Sequence, residues 1–326
     1  MSYDVICLRP ESDFLNVGVT PPADLSVGYF EPNSTELVGQ LKSAKVLVIP
    51  AVGPKLGPEL FDESSVRFVQ VTGAGVDRVD ELAMKERGIA VSNVVGGSNN
   101  AIAEYVISNV LLLKRRFASA NVEIRQGKYV QVRTQLVSAN LQGLEGLCVG
   151  VIGVGNIGLA VAQAFFFMGS DILYHDPSPI DVEALREIDA FSSSLEELLA
   201  AADIVTLHVP LLGSTIGLMG ETELAIMKRD AILVNAARGG IVDEKALAAA
   251  ITSGQLGGAV VDVFSREPPD ETNPLLSLDS EAAERVLLTP HIAGITKQAW
   301  ANLFCAAWDN VESVLVRGEP PKYRVY

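Results

Sequence analysis

An α/β fold built from two doubly wound parallel sheets, with a cleft between them, is what this sequence predicts. Three observations carry that expectation. Apolar, β-branched runs alternate with amphipathic helical stretches almost throughout, the pattern of strands buried on both faces and covered by helices. The alternation restarts at Cys148 after a long helical stretch, so two series are present. At 326 residues the chain also exceeds what one small core ordinarily serves.

In the first series, strands are expected at residues 5–8, 45–49, 67–71 and 89–92. Helices cover 34–43 and 79–87, the second stopped by Gly88. In the second series, strands are expected at 148–152, 171–174, 204–208, 231–235, 259–263 and 286–288, with helices at 156–168, 194–201, 221–227 and 243–252. Two long helical patterns, 101–119 and 297–316, bracket this second series. If each crosses between lobes, one domain is discontinuous, made of residues 1–100 and 297–326. The other is an insertion of residues 101–296.

Composition narrows the functional classes. The chain is 48% hydrophobic and 20% charged, as soluble globular proteins are. The apolar stretch 101–113 is interrupted by Glu104, Ser108 and Asn109, short of the roughly 18 residues that a membrane span needs. Met1-Ser2-Tyr3-Asp4 lacks the basic start of a secretory signal. Cys7, Cys148 and Cys305 share no metal-ligand spacing, and Cys7 and Cys148, inside apolar strand patterns, read as buried inert thiols, so no metal and a reducing, cytoplasmic setting are expected. A net charge of −15 repels phosphate backbones and anionic lipid, which disfavours nucleic-acid and membrane partners. An anionic small molecule would need a local cation, and Arg238 is the candidate.

Gly153-Val154-Gly155-Asn156-Ile157-Gly158 joins a buried apolar strand to a helix. The first glycine suits a tight turn, the second lets backbone approach a pyrophosphate, and the third lets helix pack on strand. Phosphates would then sit at the helix N-terminus. Asp176 ends the next strand about 20 residues on, the spacing of the acid that binds a ribose diol. A carboxylate there repels a 2′-phosphate, and Pro177-Ser178-Pro179 brings no arginine to hold one, so NAD is favoured over NADP. Residues 101–296 thus read as an NAD-binding Rossmann domain, and the discontinuous partner as the substrate domain.

Three further strand ends carry chemistry. Arg238 projects from Asn235-Ala236-Ala237-Arg238-Gly239-Gly240, where small neighbours let backbone approach a cofactor and a planar guanidinium can clamp a carboxylate. Glu267, in Ser265-Arg266-Glu267-Pro268, reads on its own as a solvated loop acid and gains weight only through a partner. That partner is His291, in Thr289-Pro290-His291-Ile292-Ala293-Gly294, because a carboxylate beside it would stabilise an imidazolium able to protonate a carbonyl oxygen. His208, in Leu207-His208-Val209-Pro210, also ends a strand, and reads as packing near the cofactor because no acid or arginine follows it.

At these residues the chain resembles the D-isomer-specific 2-hydroxyacid dehydrogenases, the group holding phosphoglycerate dehydrogenase, glyoxylate/hydroxypyruvate reductase, formate dehydrogenase and D-lactate dehydrogenase. The similarity runs through Gly73-Ala74-Gly75-Val76-Asp77, Asn99-Asn100-Ala101-Ile102-Ala103-Glu104-Tyr105, the glycine loop, and residues 235–244, 262–268 and 289–294. It implies a 2-oxo acid reductase with Arg238, Glu267 and His291 as its catalytic residues. It also implies substrate-carboxylate contacts from the amides of Ala74, Gly75 and Val76. Cofactor contacts are implied at Asn156, Ile157, Asp176, His208, Pro210, Ala236, Arg238, Asp262, His291 and Gly294, besides the three loop glycines. The helix over 101–119 and the arm after it would form a homodimer interface, although Tyr129 stands where members often have Trp. With Tyr326 as the last residue given, the further regulatory domain of some phosphoglycerate dehydrogenases is not expected. The same residues also suit an NAD(H)-sensing corepressor like the C-terminal-binding proteins, or an enzyme oxidising another small anion such as phosphite.

Overall fold

The structure is a computed structural model and describes residues 2–178, 180 and 182–326; Pro179, in the stretch after Asp176, lies outside them. The chain divides into two compact units, Met1–Ser98 with Ile295–Tyr326, and Asn99–Gly294.

In chain order the first unit begins with β1 (Val5–Cys7), α1 (Glu11–Asn16), β2 (Val27–Tyr29), α2 (Leu37–Leu41), β3 (Val46–Ile49), β4 (Phe68–Val71), α3 (Glu81–Glu86) and β5 (Ala90–Ser92). Among the described residues its sheet is five-stranded, order β2-β1-β3-β4-β5, and every pairing is parallel. Alternation along the strands sorts side chains into two cores. Ile6, Leu47, Ile49 and Val69 face one, while Val5, Cys7, Val46, Val48 and Phe68 face the other.

The second unit carries α4 (Asn99–Lys114), α5 (Phe117–Arg125), α6 (Tyr129–Ser138), β6 (Cys148–Ile152), α7 (Asn156–Phe167), β7 (Asp171–His175) and α8 (Val182–Arg186). It continues with β8 (Phe191–Ser192), α9 (Leu195–Ala201), β9 (Ile204–Leu207), α10 (Glu221–Ile226), β10 (Ile232–Asn235), α11 (Glu244–Thr252), β11 (Gly258–Val261), α12 (Ser280–Ala283) and β12 (Val286–Leu288). Among the described residues its sheet has seven strands, order β12-β11-β10-β9-β6-β7-β8, again parallel throughout. The order runs outward both ways from β6, so the sheet is doubly wound and its switch point lies beside the glycine loop. Val149, Val151, Val234 and Val260 pack against α4 and α7, and Leu207, Leu233 and Val261 against α10 and α11.

α13 (Lys297–Leu315) returns to the first unit. Thr296 caps it by accepting from the Ala299 N–H, and Phe304, Ala307, Trp308 and Val311 bury one stripe of it against Phe14 and the sheet. Phe304 and Val311 each contribute roughly 1.5–3 kcal/mol on burial.

The expected strands and most helices are present to within a few residues. The expected single helix over 101–119 is corrected: α4 stops at Lys114, Arg116 takes a left-handed φ of 51°, and α5 starts a new helix at Phe117. Nothing in the sequence marks β2 or β8, edge strands of three and two residues too short to show an alternation. Among the described residues no helix is long and apolar enough to cross a membrane.

Candidate active site

β6 delivers the chain to Gly153, whose φ of +86° is a conformation that side chains resist. A Cβ there would also lie 2.7 Å from the His208 carbonyl oxygen. At Gly158 a Cβ would sit 1.9 Å from the Gly153 carbonyl oxygen, so only glycine lets α7 seat against the loop. Gly155 differs, because a Cβ there would meet nothing within 4 Å. Its open face lies at the N-terminus of α7, a 12-residue helix with no side-chain cap. The first-turn N–H groups of Asn156 and Ile157 therefore suit an anion that comes close to bare backbone. Asp176 lies against the same loop: Oδ2 accepts from the Val154 N–H at 2.9 Å and Oδ1 from the Ser178 N–H at 2.9 Å. These residues fit a dinucleotide.

His208 follows β9. Its Nε2 lies 2.9 Å from the Thr206 hydroxyl, and burial pushes the imidazole down to about 3, so it is neutral. Pro210 is exposed two residues on.

β10 delivers Arg238. Asn235 wraps the turn before it, its Nδ2 donating to the Arg238 carbonyl at 3.1 Å and its Oδ1 accepting from the Ala237 N–H at 3.2 Å. Arg238 Nη1 donates to the Ala237 carbonyl at 2.8 Å. A Cβ on Gly239 would fall 1.8 Å from the Phe264 carbonyl oxygen, so glycine lets the arginine turn press against the chain leaving β11. That chain carries Glu267, whose Oε1 accepts from the Phe264 N–H at 3.1 Å.

His291 follows β12, and its Nδ1 lies 2.9 Å from Glu267 Oε2 and 3.1 Å from Oε1. Burial raises the Glu267 carboxyl. The hydrogen bond from His291, the Phe264 N–H and the charges of His291 and Arg238 outweigh burial and hold the group below the ordinary carboxylate range. Glu267 is therefore an anion and Nδ1 the donor to it, which leaves Nε2 as the ring nitrogen for chemistry.

The His291 backbone is unusual, with φ +56° in the left-handed region, a conformation costing about 1–3 kcal/mol for such a residue. Asp262, fully buried, holds the turn that includes it. The Asp262 carbonyl accepts from the His291 N–H, Oδ1 from the Ile292 N–H, and Oδ2 from the Ala293 N–H, each at 2.8 Å. Burial raises the Asp262 carboxyl, and the Thr289 hydroxyl, the Ile292 and Ala293 N–H groups and the charge of His291 offset only part of it. Nothing in the sequence distinguishes this anchoring of the turn from the cofactor contact that the resemblance implies at Asp262. Ala236 is half-buried after β10, and Gly294 is the last residue of the second unit.

Ala74, Gly75 and Val76 belong to the first unit and lie between β4 and α3. Asn93 Nδ2 donates to the Ala74 carbonyl at 2.7 Å, and the Val94 N–H to the Gly73 carbonyl at 3.0 Å, so the strand end at β5 steadies this loop. Among the described residues, no group of three or more His, Cys, Asp or Glu could hold a metal ion.

A family model described as D-isomer specific 2-hydroxyacid dehydrogenase, NAD binding domain, matches residues 107–293. The chain is 33% identical over 286 residues to the glycerate dehydrogenase of Methylorubrum extorquens, covering 87% of each chain. It is 35% identical over 269 residues to the D-3-phosphoglycerate dehydrogenase of Archaeoglobus fulgidus, 82% of this chain but 49% of that one. The chain thus spans about half the length of that enzyme and of the D-3-phosphoglycerate dehydrogenase of Methanocaldococcus jannaschii. Among solved structures, a glyoxylate reductase from Paecilomyes thermophila superposes with a TM-score of 0.82 at 27% identity, covering 99% of this chain and 98% of that one.

Proposed function

The chain belongs to the D-isomer specific 2-hydroxyacid dehydrogenase family, and on that premise we propose that it interconverts a 2-oxo acid and its D-2-hydroxy acid with NAD(H). The observation that carries this reading is the His291–Glu267 pair, 2.9 Å apart, with the charge of Arg238 felt at the carboxylate. When bound, NADH supplies the hydride that reduces C2. The amides at Gly155, Asn156 and Ile157 would hold its pyrophosphate, and Asp176 would accept from the ribose diol and repel a 2′-phosphate. His208, Pro210, Ala236 and Gly294 would flank the rest of the cofactor, and Asp262 would act beside it through the turn that it holds.

His291 Nε2 gives its proton to the carbonyl oxygen. Glu267, by accepting from Nδ1, fixes the ring and stabilises the imidazolium before that transfer. Arg238 clamps the substrate carboxylate and faces the growing charge on the carbonyl oxygen. In the first unit, the amides of Ala74, Gly75 and Val76 are the groups that the family resemblance offers to a substrate carboxylate. In the reverse direction Nε2 is the base.

The protein works in the cytoplasm as a homodimer in this reading. No residue of α5 is buried, only Val132 of α6 is, and Phe117, Tyr129 and Val130 lie more than half exposed, an apolar surface suited to a second copy.

The test is a panel of 2-oxo acids of graded size, glyoxylate included, with NADH and NADPH in parallel. NADH oxidation with at least one acid, a D product, and NADPH at least about tenfold poorer are expected. Tight NADH binding without turnover of any acid would overturn the enzymatic reading and favour a sensor.

A further inference from the structure

A hydrogen-bond chain inside the second unit ends on the turn that carries His291. Thr289 Oγ1 donates to Asp262 Oδ1 at 2.5 Å, and the Tyr105 hydroxyl lies 2.5 Å from Thr289 Oγ1. The direction of the bonds follows from proton counting. Thr289 has one hydroxyl proton and gives it to a carboxylate that has none, so Tyr105 must be the donor to Thr289. Burial keeps Tyr105 protonated, pushing its phenol up to about 12. Asp262 then accepts from Thr289, Ile292 and Ala293 through its carboxylate and from His291 through its carbonyl. A buried carboxylate with fewer donors would give up its charge or its place. Tyr105 sits on α4, 184 residues from Thr289 in sequence, and touches neither Glu267 nor His291 by any hydrogen bond.

We propose that Tyr105 and Thr289 are positioning residues for His291, acting through the Asp262 carboxylate to hold the left-handed turn that aims the imidazole. This rests on the reading of His291 as the proton donor. The ring is fixed at two points, Nδ1 by Glu267 and the backbone by Asp262, and Tyr105–Thr289 secures the second.

The experiment compares Tyr105→Phe, Thr289→Val and Thr289→Ser with the wild type on two readouts. One is steady-state reduction of the best 2-oxo acid, with NADH affinity measured separately. The other, independent of turnover, is the nitrogen-15 spectrum of the three histidine side chains. Tyr105→Phe and Thr289→Val should each lower kcat about 10- to 100-fold at unchanged NADH affinity, the size of loss that small misplacement of a reacting group brings. The double variant should be no worse than Thr289→Val alone, because both break one chain. Thr289→Ser, which keeps the hydroxyl, should restore kcat to within about threefold. The His291 ring signals should move in the Phe and Val variants while those of His175 and His208 stay in place.

Unchanged kcat and unchanged His291 signals in both variants would overturn the proposal. So would kcat and NADH affinity falling together with all three histidines shifted, which is general loosening. If the wild type turns over no 2-oxo acid but the His291 signals still move selectively, the positioning chain stands and the enzymatic reading falls.

Discussion

His208 follows β9 and His291 follows β12 in the same parallel sheet, yet the two strand ends prepare their imidazoles for opposite lives. At His208 the neighbour is a hydroxyl, Thr206, and burial pushes the ring down to about 3. At His291 the neighbour is the Glu267 carboxylate, and a left-handed turn held by Asp262 presents the ring. Position at a strand end therefore does not make an acid–base group. In the proposed reaction a charged partner and a backbone that aims the ring set His291 apart.

Removing the imidazole at each end breaks the comparison most sharply. His291→Ala should cost about 10²–10⁴ in kcat with NADH affinity within about twofold, measured by steady-state kinetics and NADH fluorescence titration. His208→Ala should keep kcat within about tenfold. Next in size is the partner. Glu267→Gln keeps a hydrogen-bond acceptor for Nδ1 but removes the charge, and should lower kcat about 10- to 100-fold without loss of thermal stability.

How much of this was legible in the sequence varies by residue. Arg238, Glu267 and His291 stand out because each ends an apolar run among small or turn-forming residues, and the strands they follow are long enough to read. Gly155 is legible as a motif position, but only coordinates show that its face opens onto nothing while Gly153 and Gly158 are packed shut. The anchoring of the His291 turn by Asp262 is not legible, since it depends on residues about 30 apart meeting across strand ends. Tyr105 is less so, lying on a helix whose pattern is that of ordinary packing. The arm at 117–138 escaped as two helices for another reason: almost none of it is buried within its own chain, so no apolar period marks it.

Smaller effects sharpen the contrast at His208. Gly153→Ala would force a side chain at φ +86° against the His208 carbonyl. It should destabilise the fold by about 1–3 kcal/mol, read by denaturant unfolding, while Gly155→Ala should leave stability unchanged and weaken NADH binding. The last effect is on acid stability and shows only below about pH 6.5. His208 stays neutral when folded, whereas the unfolded chain takes up a proton below its ordinary pKa of about 6.5. The unfolded state then binds more protons, so stability falls as pH drops from about 6.5 toward 3, by at most about 1.4 kcal/mol per pH unit from this group. His208→Asn should flatten that part of the stability curve, measured by melting temperature against pH.

The central claim, that Glu267 makes His291 and not His208 the proton carrier, is tested most directly by nitrogen-15 spectra of the histidine rings in wild type and Glu267→Gln. His208 should stay neutral across pH 4–9, untouched by the substitution, and the His291 Nδ1 signal should move when the carboxylate is lost. A His208 that gains charge near pH 6.5, or a His291 indifferent to Glu267→Gln, would contradict it.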